Sequence, residues 1–569
     1  MKVQKKNGLY EEFSEQKLLD AVHKSAERVE EVMTREDDEK FVSLVLRRIG
    51  SMGLEKVPVK RLHNFVELAL DEVNPKVAES YRNYRNYRKV LADMTQDCMD
   101  YSLNLITGYR ERENANADSA LVATKQVLMR SFMDKQFYMM QFLTAREREA
   151  IKIGFIYVHD MSGRRYSGNC CLFDIENVLK DGFVMGNIYY QQPKSLSAFF
   201  GVVGDLVLAV ASQQYGGFTL PEIDTVIVPY AKMSFEQYVR DMLDTLDVES
   251  IDELSERTRE KVLRKAYRKV ERDMEQGFQK WECMWNTVGS SRGDYPFTTI
   301  TFGLEKDVFG RMASVCAMRV RKEGQGEKGK KIPVLFPKLV FLYDEKIHGP
   351  NAEMEDVFDE AILCSQKTMY PDYLSLSGKG YVAEVYKRYG KVISPMGCRA
   401  FLSLWFERGG MEPADEFDEP VFKGRFNIGV VSLNLPMILQ ESRVQNVDFY
   451  EMLEEYLQMI REIHIRTYAY LSKMLASSNP VAYCGGGFLN GNLNPTDVIA
   501  SLLPSATASF GITALQELQM LYNKKPLTED SAFALQTLHF INKKVNEWKY
   551  ADGNLYAIYG TPEIGRAHV

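Results

Sequence analysis

The chain has 569 residues, of which 45% are hydrophobic and 26% are charged, so we expect a large enzyme core or two or more globular domains. A net charge of -7 argues against direct binding to nucleic acid. The sequence lacks both an apolar run of about 18 residues and an apolar segment behind Met1, so we expect no membrane span and no signal peptide. Its 8 cysteines are scattered and form no CxxC pair, which favours a reducing, cytoplasmic location.

Residues 1–92 are predicted to form a separate module. Asn7-Gly8 is a typical dipeptide of hairpin turns. Ser14 is positioned to cap a helix with one apolar face. Two further amphipathic helices are expected near residues 38–52 and 58–73.

The start of this module resembles an ATP cone, a small domain that senses nucleotides. The resemblance lies in Val-Gln-Lys-Lys-Asn-Gly, residues 3–8, followed by Phe-Ser-Glu-Gln-Lys, residues 13–17. It implies ATP and dATP as effectors. Lys5, Lys6 and Lys17 are the candidate ligands of the triphosphate, because an ammonium group binds phosphate as a point charge.

The next part of the chain, residues 93–150, is predicted to be helical and to lead into strands. A strand-like run ends in His159-Asp160, and a second run contains Cys170 and Cys171. This combination suggests a metal site, but adjacent cysteines cannot easily chelate one ion, and we predict no metal here. Successive side chains of a strand point to opposite faces, so the two cysteines are expected to have different surroundings.

The central stretch of the sequence is residues 393–402, in which Cys398 stands between Gly397 and Arg399. Proline and glycine predict a tight loop around this cysteine. A lone cysteine is more often a small buried residue than a reactive group. The sequence Gly-Arg-Phe-Asn-Ile-Gly-Val-Val-Ser-Leu-Asn-Leu-Pro follows at residues 424–436, and its apolar, β-branched run predicts a strand buried on both faces.

Together, Pro-Met-Gly-Cys-Arg and the later Gly-Arg-x-Asn-x-Gly-Val-Val-Ser-Leu-Asn-Leu-Pro resemble the radical-cysteine loop of the anaerobic (class III) ribonucleotide reductases, a family of glycyl radical enzymes. The resemblance implies a ten-stranded α/β barrel with a central finger loop over residues 93–562. It also implies reduction of ribonucleoside triphosphates to 2′-deoxyribonucleoside triphosphates for DNA synthesis. ATP, dATP and other deoxynucleoside triphosphates are the implied effectors.

The same resemblance assigns roles to individual residues. Cys398 would carry a transient thiyl radical that removes the 3′-hydrogen, and Cys170 would donate hydrogen toward C2′ from the other face of the ribose. Asn427 or Asn434 would bind the ribose hydroxyls, and the Gly-Arg-x-Asn pattern favours Asn427. Formate is the implied reductant, a radical-SAM enzyme the implied activating partner, and a homodimer the implied assembly.

A further candidate site lies in residues 503–515, which run from small hydroxyl residues into a predicted helix. The N-terminus of a helix binds phosphate through its free N–H groups and its dipole. Simple capping by Ser509 is the alternative. The family resemblance favours substrate phosphate binding by Ser505, Thr507 and Ser509.

The family's glycyl-radical loop and its four-cysteine zinc site have no counterpart in the sequence, whose last cysteine is Cys484. We therefore expect a truncated chain that is inactive alone, with a non-native tail at residues 563–569 and zinc only in the missing segment. Two alternatives remain open. The first is that the chain is another glycyl radical enzyme, such as a lyase or dehydratase. The second is that it is a nucleotide-binding regulator with an inert barrel.

Overall fold

The computed structural model of the protein describes residues 2–5, 9–51, 56–107, 120–287, 293–397 and 400–560. The chain forms two compact units, residues 1–107 and residues 108–569. Four features that the sequence singles out lie outside the described residues, namely Lys6, the turn Asn7-Gly8, Cys398 and the tail 563–569.

The first unit contains a three-stranded sheet in which β1 pairs with β2 antiparallel and with β3 parallel. Its elements are β1 (Lys2–Gln4), β2 (Tyr10–Glu12), α1 (Glu15–Glu27), α2 (Arg35–Gly50), β3 (Lys56–Pro58), α3 (Val59–Val73) and α4 (Pro75–Thr107). The predicted cap is present, since the Ser14 side chain accepts a hydrogen bond from the N–H of Lys17. The compact unit extends to residue 107, because α4 continues past residue 92.

The described part of the second unit contains fifteen α-helices. They are α5 (Val122–Phe142), α6 (Ala145–Ile153), α7 (Ile175–Lys180), α8 (Leu196–Ala211), α9 (Ile223–Thr245), α10 (Glu256–Trp285), α11 (Val308–Glu323), α12 (Glu345–His348), α13 (Glu355–Thr368), α14 (Tyr381–Tyr389), α15 (Leu435–Gln445), α16 (Phe449–Leu471), α17 (Pro480–Tyr483), α18 (Leu515–Asn523) and α19 (Ala532–Asp552). Among the helices that the structure describes, none has the length and apolar character needed to cross a bilayer.

The strands of the second unit form a large sheet and a separate hairpin. They are β4 (Ile156–Val158), β5 (Cys171–Leu172), β6 (Phe183–Met185), β7 (Ile188–Tyr190), β8 (Phe218–Leu220), β9 (Thr298–Phe302), β10 (Lys338–Tyr343), β11 (Asp372–Ser375), β12 (Arg425–Asn434), β13 (Thr507–Thr513) and β14 (Leu555–Gly560). Strands β6 and β7 make the hairpin, and the other strands join the large sheet.

The large sheet has the order β11-β10-β9-β8-β5-β12-β13-β14, with β4 pairing to β12 as well. Strands β5 and β8 to β11 run parallel to one another, and β12 to β14 form a second parallel set. The two sets meet where β12 pairs antiparallel with β5. The sheet curls into a half-barrel, which confirms the α/β class. Within the described residues it has nine strands, where ten were expected.

Strand β12 shows how the two faces of this sheet differ. All of its residues are buried, as the apolar run predicted. Phe426 and Ile428 belong to the main core under the helices, whereas Val430 belongs to a second apolar cluster on the inner face. The pairing with β13 shifts between Asn427 and Gly429, and this bulge changes which residues point inward.

A buried carboxyl group fixes the turn that follows β9. Asp224, near the start of α9, accepts hydrogen bonds from the N–H groups of Gly303 (2.8 Å) and Glu305 (3.1 Å). Burial raises the pKa of Asp224 to about 6, although these two donors oppose the shift. The folded protein therefore holds this proton more tightly than the unfolded chain does, and rising pH removes stability between pH 4 and pH 6.

We expect Asp224→Asn to remove this part of the pH dependence. Relative to wild type, the variant should gain on the order of 2–3 kcal/mol between pH 4 and pH 7, because a carboxyl no longer has to ionise in the interior. Thermal unfolding of both proteins across this range measures the difference. Asp205→Asn, which changes an exposed carboxyl on α8, is the control. Parallel curves for wild type and Asp224→Asn would show that Asp224 ionises normally.

Candidate functional site

The inner face of the half-barrel carries the polar side chains of the candidate site. Cys170 and Leu172 belong to the inner apolar cluster, whereas Cys171 belongs to the main core behind the sheet. The strand alternation predicted from the sequence is thus present. Burial raises the pKa of Cys171 to about 12, and Gln214 Nε2 donates a hydrogen bond to its sulfur (3.3 Å). Cys171 has the surroundings of a structural residue.

The Cys170 sulfur lies among polar groups although only 3% of the residue is exposed. Its Sγ accepts a hydrogen bond from the N–H of Gly217 (3.1 Å). The thiol donates toward Oδ1 of Asn169 (3.5 Å). These contacts fix the direction of the thiol on the inner face.

The segment that leads to Cys398 lies against the inner face. Ser394 Oγ and Thr301 Oγ1 are 3.0 Å apart, and Thr219 Oγ1 donates to the carbonyl of Pro395 (3.4 Å). The side chains of Ile393 and Met396 belong to the same inner cluster as Cys170. The segment just before Cys398 is therefore held beside Cys170.

A close contact between two glycines connects this segment to Cys170. A Cβ atom on Gly217 would lie 2.8 Å from Cα of Gly397, which is closer than real Cβ contacts allow. Gly217 is also the residue whose N–H donates to the Cys170 sulfur. A side chain at Gly217 would push the segment before Cys398 away from Cys170.

Asn427 lies next to Cys170 on the neighbouring strand. Its main-chain N–H donates to the carbonyl of Cys170 (2.8 Å), and its own carbonyl accepts from the N–H of Asn169 (2.7 Å). Its side-chain Nδ2 donates to Ser509 Oγ (2.7 Å). The structure thus brings Cys170, Asn427 and Ser509 together on the inner face.

Asn434, the second asparagine candidate, has a capping role in the structure. Its Oδ1 accepts a hydrogen bond from the N–H of Met437 (3.4 Å) at the start of α15. Its buried Nδ2 has no hydrogen-bond partner. Asn434 lies at the far end of β12 from Cys170, so the two asparagines occupy different parts of the strand.

The predicted helix N-terminus at Ser505, Thr507 and Ser509 is wrong. Ser505 closes a 3-10 helix, and Thr507 and Ser509 lie within β13, while α18 begins only at Leu515. The β-branched and small residues of this run form a strand buried between β12 and β14, where neighbouring strands take up the backbone N–H groups. Binding of phosphate to free helical N–H groups does not apply at these residues.

Arg425 is a candidate that the sequence analysis missed. It is completely buried, and it donates to the carbonyls of Ser505 (2.9 Å) and Val421 (2.9 Å), while its Nη2 has no hydrogen-bond partner. Burial lowers the pKa of Arg425 to about 9. The available signal was the alternation along the strand, which puts Arg425 on the same face as Asn427.

The candidate lysines of the first unit converge on one carboxylate. Lys5 Nζ and Lys17 Nζ both form ion pairs with Glu11. Hydrogen bonds from Lys17 and Lys5 lower the pKa of Glu11 to about 2. Two of the three predicted lysines therefore form one positively charged cluster, which we call the lysine pair.

The described residues do not bring three or more His, Cys, Asp or Glu side chains together as a metal site. His159 instead contacts Ser432 Oγ through Nε2 (2.7 Å). Burial lowers the pKa of His159 to about 4. His159 is thus a neutral residue at the junction of β4 and β12.

Comparison with known proteins gives two family matches. The family described as anaerobic ribonucleoside-triphosphate reductase matches residues 113–567, and the family described as ATP cone domain matches residues 1–90. The protein named anaerobic ribonucleoside-triphosphate reductase in Haemophilus influenzae is 29% identical over 579 residues, covering 98% of this chain and 76% of that protein. The protein of the same name in Enterobacteria phage T4 is 30% identical over 465 residues, covering 79% of this chain and 70% of that protein.

Solved structures with a similar fold include the anaerobic ribonucleotide reductase from Thermotoga maritima. Its crystal structure with citrate in the active site has a TM-score of 0.55 and 13% identity, covering 85% of this chain and 84% of that chain. The structure with dATP bound in the specificity site has a TM-score of 0.54 and 15% identity, covering 83% of this chain and 76% of that chain. At this identity the likeness concerns the fold.

Proposed function

The chain belongs to the family of anaerobic ribonucleoside-triphosphate reductases and carries an ATP cone domain at residues 1–90, and from this premise we propose how its residues reduce ribonucleoside triphosphates. One observation carries the proposal. The main-chain N–H of Asn427 donates a hydrogen bond to the carbonyl of Cys170 (2.8 Å), so the two residues are neighbours on adjacent strands. Cys170 lies on the face that holds the segment before Cys398. In this arrangement the thiol can donate hydrogen toward C2′ of a ribose while the neighbouring amide binds the ribose hydroxyls.

In this proposal the reaction begins with hydrogen-atom transfer from C3′ to a thiyl radical on Cys398. Sulfur suits this step, because an S–H bond is weak enough for the transfer to be reversible. The 2′-hydroxyl then leaves as water with the proton of the 3′-hydroxyl, and Cys170 donates a hydrogen atom toward C2′. The two electrons of formate restore the Cys170 thiol and reduce the 3′-ketone, and Cys398 returns its hydrogen atom to C3′. The side chain of Asn427 orients the ribose by hydrogen bonds to its hydroxyl groups.

The triphosphate requires positive charge and hydrogen-bond donors near the same face. Arg425 provides a buried guanidinium with a free Nη2, and Thr507 provides a hydroxyl whose oxygen accepts from the N–H of Ser403 (3.4 Å). Ser505 is a further substrate-binding candidate on this side of β12, whereas Asn434 lies at the opposite end of the strand. Arg425 lies two residues from Asn427, so one bound nucleotide can contact both.

Several groups would act together with the residues of the chain. A glycyl radical would supply the unpaired electron for Cys398, and formate would supply the two electrons as it is oxidised to carbon dioxide. The chain itself would position the two thiols and the ribose. A radical-SAM activating enzyme and a second copy of the chain are the proposed partners, and the cytoplasm is the proposed location.

Anaerobic turnover tests this function. The activated holoenzyme, meaning this chain together with its glycyl-radical segment, is supplied with CTP, formate and ATP. It is expected to form dCTP and carbon dioxide in equal amounts, measured by chromatography and isotope release from labelled formate. Omitting formate should stop product formation. Formation of carbon dioxide without dCTP, or no reaction of any ribonucleoside triphosphate, would contradict the proposal.

The lysine pair gives a prediction for the first unit, which has its own apolar core and can be tested as residues 1–107. ATP and dATP are expected to compete for it. Lys5→Ala and Lys17→Ala should each weaken binding about tenfold, because each removes a charge-assisted contact to phosphate. Glu11→Gln should tighten binding, because it removes the carboxylate that competes for both ammonium groups.

Isothermal titration calorimetry measures these affinities. Lys24→Ala changes an exposed lysine on α1 outside the pair and serves as the matched control. Unchanged affinity in both Lys5→Ala and Lys17→Ala would mean that the nucleotide binds elsewhere in the unit.

A further inference from the structure

The side-chain amide of Asn427 is held at both of its ends. Its Oδ1 accepts a hydrogen bond from the N–H of Gly429 (2.6 Å), and its Nδ2 donates to Ser509 Oγ (2.7 Å). Because a backbone N–H can only donate, the atom facing Gly429 has to be the oxygen. The amide nitrogen then has to face Ser509, so the orientation of the group follows from its partners.

This arrangement leaves one N–H of Asn427 for a ligand. A side-chain amide has two N–H groups, and Ser509 takes one of them. The inner face on which Asn427 lies also holds the Cys170 thiol. Asn427 is thereby oriented to act as a hydrogen-bond donor toward a substrate oxygen.

The bulge in β12 supports one end of the amide. Gly429 has a φ of 142°, which favours glycine, and a Cβ there would lie 2.3 Å from Nη1 of Arg164. Arg164 Nη1 donates to the carbonyl of Val430 (3.1 Å). The bulge turns the Gly429 N–H back toward the side chain two residues earlier.

Ser509 supports the other end, and it is itself rigidly placed. Its main chain lies within β13, opposite Val430 of β12. Its carbonyl accepts a hydrogen bond from Nε2 of His464 on α16 (3.0 Å). Burial lowers the pKa of His464 to about 3, so this histidine is neutral and the contact persists at neutral pH.

We propose that Ser509 is a positioning residue that presents the free N–H of Asn427 to a ribose hydroxyl, and does not itself bind phosphate. This inference rests on the proposed role of Asn427. Without the Ser509 hydroxyl, the Asn427 amide loses its anchor on β13 and rotates away from the donor orientation. The enzyme then loses selectivity for the ribose hydroxyl more than it loses affinity for the triphosphate.

The test compares the binding of CTP with that of 2′-deoxy-CTP and 3′-deoxy-CTP, measured by equilibrium binding to the full chain with ATP at saturation. Wild type is expected to prefer CTP over the analogue that lacks the contacted hydroxyl by roughly fivefold to tenfold. Ser509→Ala should abolish this preference, and Ser509→Thr, which keeps the hydroxyl, should restore it.

Thr513→Val is the matched control. Thr513 also lies on β13 and donates its hydroxyl to β12, at the carbonyl of Leu433 (2.6 Å), but away from Asn427. Each of Ser509→Ala and Thr513→Val removes one side-chain hydrogen bond between β12 and β13, accepted by Ser509 in one case and donated by Thr513 in the other, so their melting temperatures should fall by similar amounts. Thr513→Val should keep the wild-type preference for CTP.

Asn427→Ala separates the two proposals. If Asn427→Ala loses the preference and Ser509→Ala keeps it, Asn427 binds the ribose but Ser509 does not position it. If Asn427→Ala keeps the preference, the proposed role of Asn427 fails and the role of Ser509 fails with it. If Ser509→Ala weakens CTP and both analogues equally, Ser509 supports packing and the inference is overturned.

Discussion

Replacing Cys398 by alanine is expected to abolish deoxynucleotide formation completely. The proposed first step needs an atom that can both carry an unpaired electron and return a hydrogen atom, and in residues 393–402 only this cysteine can do so. Cys398→Ser should be equally inactive, because an O–H bond is too strong to exchange hydrogen reversibly. The assay is anaerobic conversion of CTP to dCTP by the activated holoenzyme.

Cys316→Ala is the control for Cys398→Ala. Cys316 is a buried cysteine of the main core on α11, so its replacement removes a thiol without changing the inner face. It should cost stability of about 1 kcal/mol and leave turnover unchanged. Turnover by Cys398→Ala at more than a trace level would show that another residue carries the radical.

The second large effect concerns the adjacent cysteines. Cys170→Ala is expected to stop dCTP formation while hydrogen exchange at C3′ continues, because the residue acts after the first step. Cys171→Ala should retain activity, since its sulfur lies in the main core, and should lose about 1 kcal/mol of stability. The two measurements are dCTP yield and isotope exchange between C3′ of CTP and solvent.

The opposite pattern would reverse the assignment. Activity in Cys170→Ala together with inactivity in Cys171→Ala would make Cys171 the hydrogen donor. The melting temperatures of the two variants show whether a loss of activity follows from unfolding, because only Cys171 contributes to the main core.

The sequence predicted those features of the site that depend on local alternation. Cys170 and Cys171 face opposite sides as the two-residue period of a strand requires. The run at residues 428–435 was predicted as a buried strand; residues 428–434 do lie in β12, and Leu435 begins α15. These predictions succeeded because a strand's side-chain directions follow from its own residues.

The partners of Asn427 required the fold. Ser509 is 82 positions away in the sequence, and its contact depends on the bulge at Gly429 and on the register of β13. The small hydroxyl residues of β13 were predicted to begin a helix, because a strand buried on both faces shows no polar alternation. Arg425 was missed although strand alternation places it on the face of Asn427, because nothing local shows that its charge is buried.

The pairing of β12 with β5 has a consequence for synthesis of the protein on the ribosome. Strands β5 and β8 to β11 are translated before β12, and contacts such as His159 with Ser432 span 273 positions. Until β12 emerges, β5 is an open sheet edge to which another nascent chain can add. This edge has only two residues, Cys171–Leu172, and such short edges resist intermolecular pairing. We therefore expect the brevity of β5 to limit aggregation of the unfinished polypeptide.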